Sequence, residues 1–256
     1  MRILITNDDG IHAPGLAVLE GIARELSDDV WVVAPETDQS GVSHSVSLND
    51  PLRLRFVSEK KYAVRGTPSD CVIMGVHHVL EDKRPDLLLS GVNRGRNVAE
   101  DVTYSGTIAG AIEGTLLGIP SIALSQCYSA ATKTSDNMFA CAAARGAEAV
   151  FKIREAGIPA SSLVNVNFPA CAPEQVEGMR VTRQGKRAPG YLKIEGRRDG
   201  RNNPYYWIIY GRTAAEPGEG TDLGALDHNM ISVTPLRIDM TDDAYRARLT
   251  DVFGDG

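Results

Sequence analysis

The chain reads as an α/β protein built on a mainly parallel sheet with helices on both faces. Two observations carry that reading. Continuous apolar runs such as Ile3-Leu4-Ile5 and Val30-Trp31-Val32-Val33-Ala34 recur, and strands buried on both faces have this composition rather than an alternating one. Segments with helical spacing of apolar residues stand between them, and repeated strand–helix–strand units imply right-handed crossovers within one sheet.

The elements follow in order. Residues 2–6 are the first strand, and Asp8-Asp9 come directly after it. Gly10 lets the backbone turn, and Pro14 suits the first turn of a helix because the N–H it lacks would be unpaired there anyway. Residues 15–26 place Leu16, Leu19, Ile22, Ala23 and Leu26 on one helical face. Residues 30–34 are a second buried strand closed by Pro35, and residues 45–64 alternate with polar breaks, as a hairpin does. Thr67 as N-cap, Pro68 and Asp70 start a helix predicted to run to about residue 80. Residues 86–90 are a third buried strand, followed by a long polar loop from 91 to 104. Ser105 opens a helix that Gly118 ends; residues 121–125 are a fourth strand, 138–155 an Ala-rich helix, and 163–168 a fifth strand. After Pro169 the pattern changes to clusters of Gly, Pro, Arg and Asn with extended stretches at 205–210 and 230–236. Hairpins and arms are expected there rather than another helical layer. The chain therefore divides into a core, residues 1–170, and a β-rich extension with a C-terminal arm, residues 171–256, of the kind that mediates oligomer contacts.

Composition narrows the function. With 256 residues, 43% hydrophobic and 23% charged, this is an ordinary globular chain. A net charge of −6 argues against a stable nucleic-acid partner, which needs a basic face. It leaves a nucleotide open, since a metal or a helix N-terminus can hold one phosphate. Cys71, Cys127, Cys141 and Cys171 form no CxxC pair, which supports neither a zinc site nor a disulfide framework and suits reduced thiols. No signal-peptide pattern opens the chain, and no apolar run approaches the ~20 residues that span a bilayer. A soluble, cytoplasmic protein with no membrane partner is expected.

Four groups carry chemistry. Asp8 and Asp9 follow the first strand, and strand, acidic turn, helix is how an α/β protein sets a hard-cation site. Tyr104-Ser105-Gly106-Thr107 opens a helix where unpaired N–H groups and the dipole meet an anion. A phosphate fits there, and so does plain capping by Ser105. Gly110 and Gly114 continue a four-residue repeat from Gly106 that close packing on the sheet explains. Ser90-Gly91-Val92-Asn93-Arg94-Gly95-Arg96-Asn97 lacks the glycine spacing of a dinucleotide fingerprint. Its asparagines offer oxygen to a metal and N–H to a phosphate; alone, the segment also reads as a turn. Asp38-Gln39-Ser40-Gly41-Val42-Ser43-His44-Ser45 holds three serines but no nucleophile elbow, and in isolation is a polar turn.

Position combines them. The carboxyl ends of parallel strands share one edge, so Asp8-Asp9, Ser40, Asn93 and the Ser105 helix start converge on one crevice, where α/β sheets bind ligands. Two aspartates repel a phosphate ester unless a divalent cation lies between. Mg²⁺ or Mn²⁺ suits carboxylate, hydroxyl and amide oxygens, whereas zinc prefers His or Cys. Such an ion polarises the phosphoryl oxygen and lowers the pKa of a bound water. Asp8 and Asp9 are then also the catalytic candidates, with Asp8 favoured to orient or deprotonate the water. Asn97, Ser105, Gly106 and Thr107 supply hydrogen bonds to the transferred group. His12 and His44 are candidates for a role behind the ligands or at the substrate's edge. Arg94 and Arg96 either meet the phosphate or base, or stay solvated. His228 is read as structural.

The same motifs, in the same order, resemble the SurE family of metal-dependent nucleoside monophosphate phosphatases. Its members begin with Asn-Asp-Asp-Gly, here residues 7–10. They continue with Pro-x-x-x-x-Ser-Gly, here 35–41; Ser-Gly-x-Asn-x-Gly-x-Asn, here 90–97; and Tyr-Ser-Gly-Thr, here 104–107. The resemblance implies a Rossmann-like core and one divalent metal ion per subunit, Mg²⁺ or Mn²⁺, held by Asp8, Asp9, Ser40 and Asn93. It further implies 5′- and 3′-nucleoside monophosphates as substrates, short polyphosphate as a further one, and a homodimer or homotetramer with exchanged arms. Two rival readings are an aspartyl-phosphate-forming phosphatase, whose Asp-x-Asp-x-Thr is not matched here, and a nucleotide-binding sensor without turnover.

Overall fold

Apolar runs become strands in a computed structural model that describes residues 1–129, 132, 137–188, 190, 192–210 and 218–254. In chain order the elements are β1 (Arg2–Thr6), α1 (Pro14–Leu26), β2 (Asp29–Pro35), β3 (Arg53–Ser58), β4 (Lys61–Arg65), α2 (Pro68–Met74), β5 (Leu87–Arg94), α3 (Gly106–Leu116) and β6 (Ser121–Gln126). They continue with α4 (Ala140–Ala156), β7 (Ser162–Phe168), β8 (Gly178–Val181), β9 (Leu192–Arg198), β10 (Pro204–Tyr210), α5 (Asp222–Asp227), β11 (Met230–Arg237) and α6 (Asp243–Phe253). One nine-stranded sheet takes the order β3-β4-β2-β1-β5-β6-β7-β11-β8, and β9 with β10 forms a separate hairpin. From β4 to β7 every neighbouring pair is parallel; β3 runs antiparallel to β4, and β11 antiparallel to β7.

Adjacent residues of one strand face opposite layers. Ile3, Ile5, Val32, Leu89, Leu124 and Val166 pack under α1 and α4, while Leu4, Val33, Leu88 and Ala123 pack under α2 and α3. Burial on both faces is why the runs are continuous rather than alternating. The α/β architecture with helices on both faces is thus the one predicted.

Several boundaries differ. The helix from Thr67 is α-helical only to Met74 and continues as a π turn over Gly75–Val79. The predicted hairpin at residues 45–64 is paired only as β3 and β4, with residues 45–52 outside the ladder. The polar loop expected from residue 91 begins later, because β5 resumes pairing beyond an irregularity, Asn93 with Ser125 and Arg94 with Gln126. Polar residues extended that strand, so no apolar run announced it. Beyond residue 170, β8 and β11 continue the main sheet, β9 and β10 supply the expected hairpin, and α6 is a helix the sequence reading did not include. Asp242 caps α6 by accepting from Tyr245 N at 2.9 Å. Among the described residues no helix is long and apolar enough to cross a membrane.

From β1 the chain first builds outward through β2, then returns to place β5 on the other side of β1. The crevice at the carboxyl ends of β1 and β5 is therefore the switch point of the sheet, the position where doubly wound folds bind ligands.

Candidate active site

The turn after β1 is held from two sides. Asn7 Nδ2 donates to Gly10 O at 2.9 Å, and Gly10 has φ +102°, which favours glycine. Ile11 N donates to Pro35 O at 2.8 Å and Gln39 N donates to Asp8 O at 2.8 Å. These bonds draw the segment leaving β2, with Ser40, alongside the two aspartates. Asp8 is buried, and its Oδ1 accepts from the Thr107 hydroxyl at 2.7 Å. Burial first, and the charge of Asp9 second, push the Asp8 carboxyl up to about 7 against the pull of Thr107. Burial also raises Asp9, and the Arg94 N–H, which donates to its Oδ2 at 3.2 Å, draws it back.

Helix α3 meets this turn end-on. Ser105 caps it, its Oγ accepting from Ile108 N at 3.1 Å. Of the two readings of Ser105, the cap is present, and the Gly106 and Thr107 N–H groups lie in the first turn, where a helix gives them no partner. Gly106 must be glycine: a Cβ there would sit 2.8 Å from Asp8 Cβ and 3.1 Å from its Oδ2. Gly110 and Gly114 pack against Ser90 and Ser121 at the sheet, as their spacing predicts.

The third contribution comes from the end of β5. Asn93 Nδ2 donates to Gly95 O at 3.0 Å, so its Oδ1 is the atom left to face another ligand. Asn97 is buried and donates from Nδ2 to Ser125 Oγ at 2.9 Å, with a second amide hydrogen remaining.

These pieces border a cavity of about 680 Å³, the size of a small-molecule site. Asp8, Ser40, Asn93, Arg94, Arg96, Asn97 and Ser105 line it. Asp9, Gly106 and Thr107 stand next to it, through their contacts with Arg94 and Asp8. The histidines are not brought in. His12 is exposed and absent from the wall, and His44 Nε2 lies 2.9 Å from Glu113 Oε2, two turns along α3. His228 Nδ1 bonds Gly224 O at 2.7 Å, as a structural residue would.

The sequence reading missed much of the rest of the wall, where Asp101, Cys127, Tyr128, Arg187 and Asp227 join Tyr104 of the Tyr-Ser-Gly-Thr motif. Arg187 forms an ion pair with Asp101 through Nη2. Nothing local in the sequence marks these residues, because four distant segments meet there. It also missed Asn165 and Asn167, whose signal was present: two buried amides alternating with Val164, Val166 and Phe168 in an otherwise apolar strand.

The donor set suits a hard cation. Thr107 and Arg94 each engage one oxygen of Asp8 and Asp9, so each carboxylate has a second oxygen to offer, next to Ser40 and Asn93. Among the described residues no three His, Cys, Asp or Glu side chains gather to hold an ion by themselves. A cation here would draw on the neutral oxygens as well.

The chain was compared with known proteins. The family model described as Survival protein SurE matches residues 3–190. A 5′-nucleotidase SurE of Methylorubrum populi is 65% identical over 253 residues, covering 99% of both chains. A protein of the same name from a Bradyrhizobium species is 64% identical over 256 residues, covering 99% of this chain and 100% of the relative. The crystal structure of the SurE protein from Aquifex aeolicus superposes with a TM-score of 0.83 at 40% identity, covering 98% of this chain and 99% of that one. With a family model spanning most of its length and full-length relatives at such identities, the chain belongs to the SurE family.

Proposed function

We propose that the protein is a divalent-metal-dependent phosphomonoesterase that hydrolyses nucleoside 5′-monophosphates, and 3′-monophosphates, to nucleoside and phosphate. The observation that carries this is the meeting of two carboxylates with the N-terminus of α3 at the switch point of the sheet, on a cavity of nucleotide size. The nucleotidase names of the full-length relatives support it.

Asp8, Asp9, Ser40 and Asn93 are the residues that would hold Mg²⁺ or Mn²⁺, one ion per subunit. When bound, that ion polarises the phosphoryl oxygen and lowers the pKa of a bound water. The protein's own groups do the rest. Asp8 would orient the attacking water and take its proton as the water oxygen bonds to phosphorus. The bond from phosphorus to the nucleoside oxygen breaks, and that oxygen leaves as a hydroxyl with a proton from solvent, while the Thr107 hydroxyl keeps the Asp8 carboxylate in place. With that hydroxyl engaged, Thr107 meets the phosphoryl group through its backbone N–H, as Gly106 does; Ser105, whose Oγ accepts in the cap, donates through its O–H, and Asn97 uses its second amide hydrogen. These donors stabilise charge on the transferred group. Arg94 and Arg96, exposed on the cavity wall, draw the dianionic substrate inward. Short polyphosphate is a second substrate by the same chemistry. The enzyme works in the cytoplasm, which suits its four free cysteines. It assembles as a homodimer or homotetramer, which the apolar side chains exposed on β9, β10 and α6 support.

Phosphate release from 5′- and 3′-nucleotides and a short polyphosphate tests the reading, with Mn²⁺ or Mg²⁺ and with excess chelator. Release that needs the ion, and is lost in Asp9→Asn with the melting temperature retained, is expected. A folded protein that releases phosphate with neither ion would instead be a nucleotide-binding sensor.

A further inference from the structure

Strand β7 carries the least expected side chains of the interior. Val164, Val166 and Phe168 join the apolar layer under α4, and the residues between them, Asn165 and Asn167, turn to the opposite face, both fully buried. Their partner there is the backbone of a single residue in the segment after β5. Asn167 Oδ1 accepts from Asn97 N at 2.8 Å, and Asn167 Nδ2 donates to Asn97 O at 3.1 Å. Asn165 Nδ2 donates to the same carbonyl at 2.8 Å, and its Oδ1 accepts from Asn167 Nδ2 at 3.2 Å. With Ser125 of β6 accepting from the Asn97 side chain, both backbone groups of Asn97 and one of its amide hydrogens are engaged. Two residues on, Ala99 has φ +51° and donates its N–H to Asp222 Oδ2 at 2.9 Å. The segment that carries Asn97 into the cavity is thus held by side chains that do not line it.

We infer that Asn165 and Asn167 are positioning residues of the phosphomonoesterase, fixing Asn97 beyond the short loop that follows Asn93 of β5. A valine or leucine at either place would suit the strand and leave the Asn97 N–H or C=O buried with fewer partners. The amide is the side chain that serves both, since it donates and accepts from one rigid plane. The loop ends at groups that must hold an ion and a phosphoryl oxygen, where a displacement of ~1 Å costs on the order of 100-fold in rate.

This inference rests on the phosphomonoesterase reading, and its test separates the two. Asn165→Ala and Asn167→Ala are compared with Ser232→Ala, a buried change in the same sheet whose hydroxyl pairs with Thr182 and Thr234 instead of the loop. Hydrogen exchange is followed by mass spectrometry over residues 93–99, and kcat and KM are measured with a nucleoside monophosphate and Mn²⁺. The asparagine variants are expected to exchange faster at 93–99 and to lose about 10- to 100-fold in kcat, as for residues that orient metal ligands. Ser232→Ala should match the wild type in both. If an alanine variant does not fold, Asn167→Asp, which keeps the acceptor for Asn97 N and loses the donor, carries the same comparison. Unchanged exchange at 93–99 overturns the inference, as does faster exchange with wild-type kcat or an equal kcat loss in Ser232→Ala. A wild-type protein without phosphate release overturns the phosphomonoesterase reading and the catalytic part of this one. The exchange data then still decide whether the asparagines hold the loop.

Discussion

Gly106 stands under two opposed demands. Alanine is about 1 kcal/mol better than glycine inside a helix, so Gly106→Ala should favour α3 taken by itself. Its Cβ would nevertheless fall 2.8 Å from Asp8 Cβ, closer than such atoms approach. Asp8 must shift, and its bond to Thr107 shifts with it. The expected outcome is a melting temperature near that of the wild type with kcat lower by on the order of 100-fold. Wild-type turnover from a folded Gly106→Ala would show that the Asp8 position does not matter. That Asp8, Ser40, Asn93 and the start of α3 gather on one crevice was legible, because strand ends and helix starts of a parallel sheet share an edge; the wall from Asp101, Cys127, Tyr128, Arg187 and Asp227 was not. What each atom does there was not. Thr107 and Asp8 are 99 positions apart, and no local pattern says that the hydroxyl serves the carboxylate rather than the substrate.

Among the elements, apolar periodicity located the strands and failed where polar residues extended them. β5 continues through Asn93 because Ser125 and Gln126 offer pairing, a fact of the neighbouring strand. The opposite ends of the strands show a tie of a different kind. Asp29, opening β2, accepts from Arg2 Nε at 2.9 Å on β1, from Lys60 Nζ at 2.9 Å just before β4, and from Trp31 Nε1 at 2.8 Å on its own strand. The hydrogen bond from the Arg2 guanidinium, ahead of the others, holds the Asp29 carboxyl well below its ordinary 3.8. A folded-state pKa below the unfolded one stabilises fully above the unfolded value, and the gain drains away as pH falls toward the folded value. Asp29→Asn should therefore cost stability at about pH 6 and progressively less below about pH 4, read from urea midpoints across that range. An equal loss at both ends would show that the charge is not what ties the strands.

At the scale of the whole molecule, the nine-stranded sheet encloses most of its apolar side chains, while the β9–β10 hairpin and α6 display theirs. Tyr206, Trp207 and Ile208 on β10, and Val252 and Phe253 on α6, are largely exposed, and α6 buries no residue of its own. Surfaces of this kind usually meet a partner. Sedimentation of the wild type is expected to give a dimer or tetramer, and Trp207→Ser combined with Ile208→Ser should shift it toward a smaller species. A wild type that sediments as a monomer at micromolar concentration would sink the oligomer reading. The change in composition after Pro169 marked the region that supplies the separate β9–β10 hairpin. That β8 and β11 return to complete the sheet was not legible, since the pairing of β11 with β7 is antiparallel and breaks the strand–helix–strand rhythm.

The hold on Asn97 also has a consequence in time. Asn167 lies 70 positions beyond Asn97, and Asp222 lies 123 beyond Ala99. Synthesis runs from the N-terminus, and domains begin to fold as they emerge. By the time Asp8, Asp9, Ser40 and Asn93 have left the ribosome, the side chains that fix the loop have not yet been made. A nascent chain that stops short of β7 carries all four candidate ligands and none of the hold on Asn97 that β7 supplies.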